Sequence, residues 1–421
     1  MSGRTFCAQR CICALWLLWL MGVGGLWSAE AAPPPTYEMG PIIDLALERN
    51  PAIAGAQGTL DQQKGFQIGA GAYPNPIVGG QGGRGSVREP SNGLSVTEYS
   101  VSLGQPLEWP GKRSARQRAA DAGYAGAGAG FSETRLNLIA DVKTAFYDLL
   151  LAQQHLQLAQ QNLGTVEEVR HIVATRVRLG EAPQFEAVKA EVEVLKAKQV
   201  VTRAENSVRA MRVALDTLTA GALGREYVVK GDFQSMPQAL DADMLASRAL
   251  DQHPSLSRLV KQVEQADSTA EFHRQARMPD ITVQGAYWRE VGREAVTANL
   301  SLPIPLWYQR QGEIAAALGQ RRKEEADLFR MRNELLRAVN LHFQDAQATA
   351  HMIMVFEKGL IKQTEEALRI AQFSFRQGAS SLLEVLDAQR VQRQVLVDYA
   401  QARYELAVSL TRLERAVGGT L

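Results

Sequence analysis

The chain is written twice, and that duplication limits its fold more than any other feature. Leu47-Glu48-Arg49-Asn50-Pro51-Ala52-Ile53 returns 203 positions later as Leu250-Asp251-Gln252-His253-Pro254-Ser255-Leu256. Pro76-Ile77-Val78 returns at the same offset as Pro279-Asp280-Ile281, and Leu103-Gly104-Gln105-Pro106-Leu107 answers to Leu302-Pro303-Ile304-Pro305-Leu306. Val142 and Phe146 answer to Val339 and Phe343, while Arg178-Leu179-Gly180, Glu186 and Ala190 answer to Arg376-Gln377-Gly378, Glu384 and Ala388. The offset drifts only from 203 to 197–199 along this ordered series, so whatever one half folds into, the other repeats. The chain divides accordingly into a leader (1–31), a first repeat (32–220), a linker (221–237) and a second repeat (238–421).

Each repeat reads helix, strand, strand, very long helix, turn, long helix. No proline occurs between Gly111 and Ala182, and none follows Pro305. Apolar residues step by three and four through Leu136, Ile139, Val142, Phe146 and Leu149, and again through Val395, Tyr399, Ala402, Leu406, Leu410, Leu413 and Val417. That is the pattern of a helical bundle or coiled coil. A continuous helix from Lys112 to Arg178 is roughly 100 Å long at 1.5 Å per residue. Gly180 with Pro183 ends it in one copy and Gly378 ends its counterpart, so each copy carries a long helical hairpin.

The strands are few. Tyr99, Val101 and Leu103 alternate with polar neighbours, as do Ile281, Val283 and Tyr287, and Val296, Ala298, Leu300 and Leu302. A weaker, glycine-rich strand is expected over 75–83, and polar loops are expected over 83–95 and 289–295. One apolar and one polar face suits a membrane barrel, and it suits a half-buried soluble hairpin equally well. If the strands do span a membrane, four of them cannot close, because the smallest bacterial outer-membrane barrels have eight and an open edge is forbidden in lipid. Several chains must then share one barrel.

Composition narrows the rest. Arg4 and Arg10 precede an uncharged run from Cys11 to Ala29 that ends in Ser28-Ala29-Glu30-Ala31-Ala32, the outline of a cleaved export signal. All three cysteines (Cys7, Cys11, Cys13) lie within it, so the mature chain has no thiol for a disulfide, a zinc site or a nucleophile. Without the leader the chain carries 44 basic and 44 acidic residues, which argues against a nucleic-acid partner. No second apolar run reaches the ~18–20 residues of a membrane helix. No grouping of nucleophile, base and oxyanion donor is visible, nor any metal-ligand spacing, P-loop or dinucleotide motif; neither an enzyme nor a cofactor is expected.

Ser381-Leu382-Leu383-Glu384-Val385-Leu386-Asp387-Ala388-Gln389, the closing Leu413-Glu414-Arg415-Ala416-Val417-Gly418, and the paired Asn50-Pro51 and His253-Pro254 resemble the outer-membrane efflux protein family, the TolC-like channels. Gln105-Pro106-Leu107-Glu108-Trp109-Pro110-Gly111-Lys112-Arg113 resembles its heavy-metal cation efflux branch. The resemblance runs from about Asp44 to Gly418. It implies a mainly α protein with a membrane β-barrel part: a homotrimer whose protomers each give four strands to a twelve-stranded barrel and their helical hairpins to a periplasmic α-barrel. It further implies an outer-membrane exit duct, passive toward its cargo, that works with a periplasmic adaptor and an inner-membrane pump of the resistance-nodulation-division type. Heavy-metal cations lead as cargo, ahead of drugs and other organic molecules, and of polypeptides as in type I secretion. A periplasmic adaptor fits less well, since it usually has one hairpin flanked by β-domains. A coiled-coil scaffold would not need paired strands at matched places.

Several residues follow as candidates. Glu384 and Asp387 share a helix face just past the Gly378 turn, where the family places acidic residues at its periplasmic constriction; a solvated face with local ion pairs is the plainer reading. The first copy has Glu186 and Lys189 at those places. By the same resemblance the tips, Arg178, Leu179 and Gly180 with Gln377, Gly378, Ala379 and Ser380, face the adaptor or pump. Phe375 and Ser380 replace a tyrosine and an arginine that elsewhere in the family help hold the tip closed. Trp109, Trp307 and Tyr308 follow the strands at matched places and suit a girdle against outer-membrane lipid, or else buried corners. Lys112, Arg113, Arg116 and Arg118 read as a solvated basic face, and His351-Met352-Ile353-Met354 as helix packing, not a metal site.

Overall fold

A computed structural model describes residues 34–86, 95–237 and 240–421; the leader read over 1–31 lies outside these. The order is β1 (Thr36–Tyr37), α1 (Met39–Arg49), α2 (Pro51–Gly71), β2 (Ile77–Ser86), β3 (Ser95–Leu107), α3 (Pro110–Arg178), α4 (Gln184–Leu218), β4 (Val228–Val229), α5 (Ala242–Gln252), α6 (Pro254–Gln275), β5 (Ile281–Glu290), β6 (Arg293–Ser301), α7 (Gln311–Val355), α8 (Ile361–Arg376) and α9 (Leu382–Val417). A single π-helical turn, Phe356–Leu360, joins α7 to α8. The proline-free stretch of the first copy is one helix of 69 residues, as its sequence predicts, about 100 Å long.

The duplication is visible in single hydrogen bonds. Asn50 caps α2 by accepting from the Ala52 N–H at 2.8 Å, and its amide donates to the Leu218 carbonyl at the end of α4 at 2.8 Å. His253 does the same for α6: its Nδ1 accepts from the Ser255 N–H at 3.1 Å, and its Nε2 lies 3.1 Å from the Arg415 carbonyl at the end of α9. In both copies the start of the short inner helix is thus tied to the end of the returning hairpin. The tips match too. Gly180 and Gly378 take φ of 77° and 75°, and the N–H of Glu181 and of Ala379 reaches back to Arg176 and Ser374 respectively. Left-handed backbone of this kind closes a helix end and favours glycine.

Two segments differ from the sequence expectation. Residues 221–237 do not behave as a free linker, because Leu223, Tyr227, Val229 and Phe233 are buried in the main core with Ile42, Val142, Phe146, Leu149 and Leu215. Val228–Val229 also pairs in parallel with Thr36–Tyr37. The expected loop at 289–295 is a tight turn, with pairing continuing to Glu290 opposite Arg293 and Gly292 at φ 72°. Its charges misled because they face one another across the hairpin.

The basic cluster at the start of α3 is not a solvated face. Arg113 donates twice to the Gly71 carbonyl, at 3.1 and 2.7 Å, and once to the Tyr73 hydroxyl. Arg116 donates to the Ala70 and Ala72 carbonyls and grips Glu108 with two nitrogens, at 2.5 and 3.0 Å. These guanidinium groups complete the carboxyl end of α2, where unpaired carbonyls and the helix dipole favour positive charge. Lys112 pairs with Asp280 at 2.6 Å, just before β5. The Gln275 side chain of α6 folds over Gly111, its amide oxygen 2.4 Å from where a Cβ would sit. Only Arg118 stays exposed as expected.

Two measurements test these ties. The Glu108 side chain is 4% exposed, so Arg116→Ala strands a buried carboxylate. We expect a loss of about 3 kcal/mol in chemical denaturation, against less than about 0.5 kcal/mol for Arg118→Ala; equal effects would remove the capping role. His253 is 6% exposed, and burial holds its pKa below the ordinary value against the Arg415 carbonyl and the Glu133 carboxylate, which favour the proton. A histidine with a depressed folded pKa contributes fully above its unfolded pKa of about 6.5 and loses that contribution as pH falls below it. His253→Asn installs the cap of the first copy without a titrating ring. Thermal unfolding between about pH 8 and pH 5 should therefore show a shallower acid decline in the variant, and an unchanged decline would assign it elsewhere.

Candidate functional site

The four longer strands form one antiparallel sheet in the order β2-β3-β5-β6. Register assigns its faces, because residues directly opposite in an antiparallel pair share a side. Val101 lies opposite Tyr287, and Tyr287 opposite Val296; Gln105 lies opposite Val283, and Val283 opposite Leu300. With Leu103 and Leu107 these make an apolar face that is exposed in the single chain. On the other face Ser102 meets Ala286 and then Thr297, and Gly104 meets Gln284 and then Asn299. That face is mainly polar, with Ile77, Val96 and Trp288 as its larger apolar members. Among the described residues β2 and β6 each pair on one side only, so both edges of the sheet are open.

Aromatic side chains stand at both ends of the apolar face, all exposed but the half-buried Tyr287. Trp109 (44% exposed), Trp307 (89%) and Tyr308 (58%) lie at the helix end, so none is a buried corner. The Tyr308 hydroxyl donates to Glu313 at 2.6 Å. At the far end Tyr99 and Tyr287 pair with ring centroids 6.1 Å apart, and the Tyr287 hydroxyl donates to Glu294. Sequence reading passed over this second pair, although both tyrosines fall in the apolar phase of their strands. From Tyr99 to Trp109 the chain rises roughly 33 Å at about 3.3 Å per residue, which is about 25 Å once tilted by ~40°, the usual height of a barrel's apolar band. No helix among the described residues is long and apolar enough to cross a membrane.

At the opposite end the two hairpins are pinned to each other. Val169, Val173 and Ala190 of the first pack with Phe375, Leu382 and Val385 of the second. The Arg176 guanidinium lies 5.1 Å from the centre of the Phe375 ring, a cation–π contact. Arg376 pairs with Glu168 at 2.6 Å, and the Ser380 hydroxyl donates locally to the Ala371 carbonyl at 3.3 Å. With phenylalanine at 375 and serine at 380, the ion pair that ties the two hairpins here is Arg376 to Glu168. The pairing across the chain was not foreseen, since charges 208 positions apart carry no local pattern.

Glu384 and Asp387 are both exposed on α9, on the side away from Leu382 and Val385. The Ser381 hydroxyl caps the helix by accepting from the Glu384 N–H at 3.4 Å. Asp387 pairs with Arg390 at 2.7 Å and lines a groove of about 570 Å³ between α4 and α9 with Lys189, Lys196 and Arg393. Glu384 has no ion-pair partner among the described residues. Leu179 and Gly180, and Gln377 and Gly378, form the turns themselves, with Arg178 and Ala379 beside them. Of the His351–Met354 cluster only Ile353 packs inward, while Met352 and Met354 are exposed. Among the described residues no three His, Cys, Asp or Glu side chains are grouped to hold a metal ion.

This geometry can now be compared with known proteins. The family model for outer membrane efflux protein matches residues 42–221 and 245–419. The chain is 25% identical to the cobalt-zinc-cadmium resistance protein CzcC of Cupriavidus metallidurans, over 92% of its own length and 91% of the relative's. It is 23% identical to the nickel-cobalt-cadmium resistance protein NccC of Alcaligenes xylosoxydans, over 75% and 71%. Among solved structures, CusC, studied for its folding and transmembrane channel formation, superposes with a TM-score of 0.74 at 18% identity, covering 90% of this chain and 92% of that one. A sheet with one apolar face, a helix of some 100 Å and a family match across both halves lead to one conclusion: the chain belongs to the outer membrane efflux protein family, whose members are outer-membrane channel proteins and not enzymes.

Proposed function

We propose that this outer-membrane protein is the exit duct of a tripartite efflux system, conducting heavy-metal cations passively from an inner-membrane pump and a periplasmic adaptor to the outside. The observation that carries the duct is the two-faced sheet with both edges open, joined to helices far longer than a membrane is thick. Unpaired backbone is not tolerated in lipid, so the open edges of β2 and β6 call for further copies. Three copies give twelve strands, with the polar face turned to a water-filled lumen. In this arrangement the repeats 32–220 and 238–421 alternate around the tunnel, and Trp109, Trp307 and Tyr308 form the girdle at the helix-side interface. The pump is of the resistance-nodulation-division type, and the tips around Gly180 and Gly378 meet the adaptor or pump.

The metal cargo is supported by the relatives named for cobalt-zinc-cadmium and nickel-cobalt-cadmium resistance. A wide duct need not bind what passes through it, so the lack of a ligand cluster carries no weight. Glu384 and Asp387 supply the selective neck, where a ring of carboxylates attracts cations. Arg390 already offsets Asp387, which leaves Glu384 as the stronger contributor.

Two experiments follow. In planar bilayers the wild-type protein should favour cations; Glu384→Ala should remove most of that preference and Asp387→Ala less. An unchanged preference in the double variant would move the neck elsewhere while leaving the duct. A deletion strain should lose tolerance to zinc, cobalt or cadmium. Loss of tolerance to organic toxins alone would overturn the metal assignment.

A further inference from the structure

The second long helix contains something the first lacks. The Ile361 N–H bonds back five residues to the Phe356 carbonyl, which closes a π-turn, whereas α3 runs unbroken. The sequence repeat registers the same event. Val142 and Phe146 match Val339 and Phe343 at an offset of 197, but Arg178 and Glu186 match Arg376 and Glu384 at 198. One residue has therefore been added to the second copy between Phe343 and Arg376, and the π-turn lies within that interval.

Apolar phase agrees. Val339, Ala346 and Ile353 follow one another at intervals of seven; Ile361, Leu368 and Phe375 do likewise, with a step of eight between Ile353 and Ile361. In the first copy Val142, Leu149, Leu156 and Leu163 keep to sevens, and Val177 falls two sevens further on, past the exposed Arg170. An extra residue in a plain α-helix would turn everything beyond it by about 100°. The π-turn absorbs the residue, so Leu368 and Phe375 stay inward.

Within one chain the turn is held on one side only. Phe356 is buried against Val395 and Ala402, with its ring centre 5.9 Å from that of Tyr399. The Tyr399 hydroxyl donates to Glu357 at 2.9 Å. Arg403 covers Tyr399 and pairs with Asp232 at 2.5 Å, which anchors the spot to the segment between the repeats. On the outer side Val355 and Leu360 are exposed, and a Cβ at Gly359 would meet nothing within 4 Å. π-turns are wider and rarer than α-turns, and they mark places where helices bend.

We propose that Phe356–Leu360 is the pivot about which α8 and its tip move relative to α7, with the Tyr399–Glu357 hydrogen bond as its catch. The pivot gives the second hairpin slack along α9 that the first hairpin does not have. The tip it carries is the one tied to the first hairpin through Arg376 and Glu168. Release of that tie therefore displaces α8 and leaves α3 in place. This rests on reading the tip as the closing end of the duct.

Amide hydrogen exchange on the assembled wild-type protein, with channel recording alongside, tests the pivot. Amides over 356–361 should exchange about tenfold faster than those over 158–162 of α3. Deleting Gly359 restores the seven-residue spacing and should abolish the contrast and reduce channel opening several-fold. Tyr399→Phe leaves the helix register alone and should raise opening several-fold, so it decides the matter if the deletion variant does not assemble. Equal exchange in the two stretches, or opening unchanged in Tyr399→Phe, overturns the pivot. Fast exchange at 356–361 in a wild-type protein that conducts nothing would support the pivot and count against the duct.

Discussion

Where β3 ends and α3 begins, a flat sheet must hand over to a rod of some 100 Å, and the rigidity of that joint governs everything beyond it. A small angular error at Trp109 would be multiplied over the length of the helix. The chain meets this demand within nine residues. Pro110 starts the helix, Gly111 admits Gln275, Lys112 reaches Asp280, and Arg113 with Arg116 closes the end of α2. Glu108 fixes Arg116 in the geometry those carbonyls need. The motif that carries the resemblance to the metal-efflux branch is thus, in this structure, a mechanical fitting that binds four elements.

Much of the architecture was legible in the sequence because it rests on periodicity. Proline-free length gave the helices, strict alternation gave the strands, and the repeat gave their order. The joint was not legible, since Arg113 and Arg116 answer to backbone carbonyls more than forty positions earlier, and no side-chain pattern marks a carbonyl. The segment 221–237 was undervalued because its buried Leu223, Tyr227 and Phe233 follow neither period. At the tip the turn glycines could be read, whereas the Arg376–Glu168 pairing depends on how two hairpins lie together.

The two halves have kept their frame and diverged in what fills it. An asparagine and a histidine perform the same capping task, one insensitive to acid and the other not. Glu186 with Lys189 faces one turn, while Glu384 with Asp387 faces the other. One hairpin has an uninterrupted long helix and the other a helix with a residue too many. The two copies share a scaffold, and only the second carries paired carboxylates past its turn and a π-turn in its long helix.

Strand β2 holds five glycines in ten residues, Gly79, Gly80, Gly82, Gly83 and Gly85, and the Glu98 carboxylate lies over Gly85. Glycine surrenders the most conformational freedom on ordering and brings no side chain to a sheet. This edge is therefore poorly committed while it is still in water. Pairing along this edge therefore gains little from the strand itself and depends on what covers it.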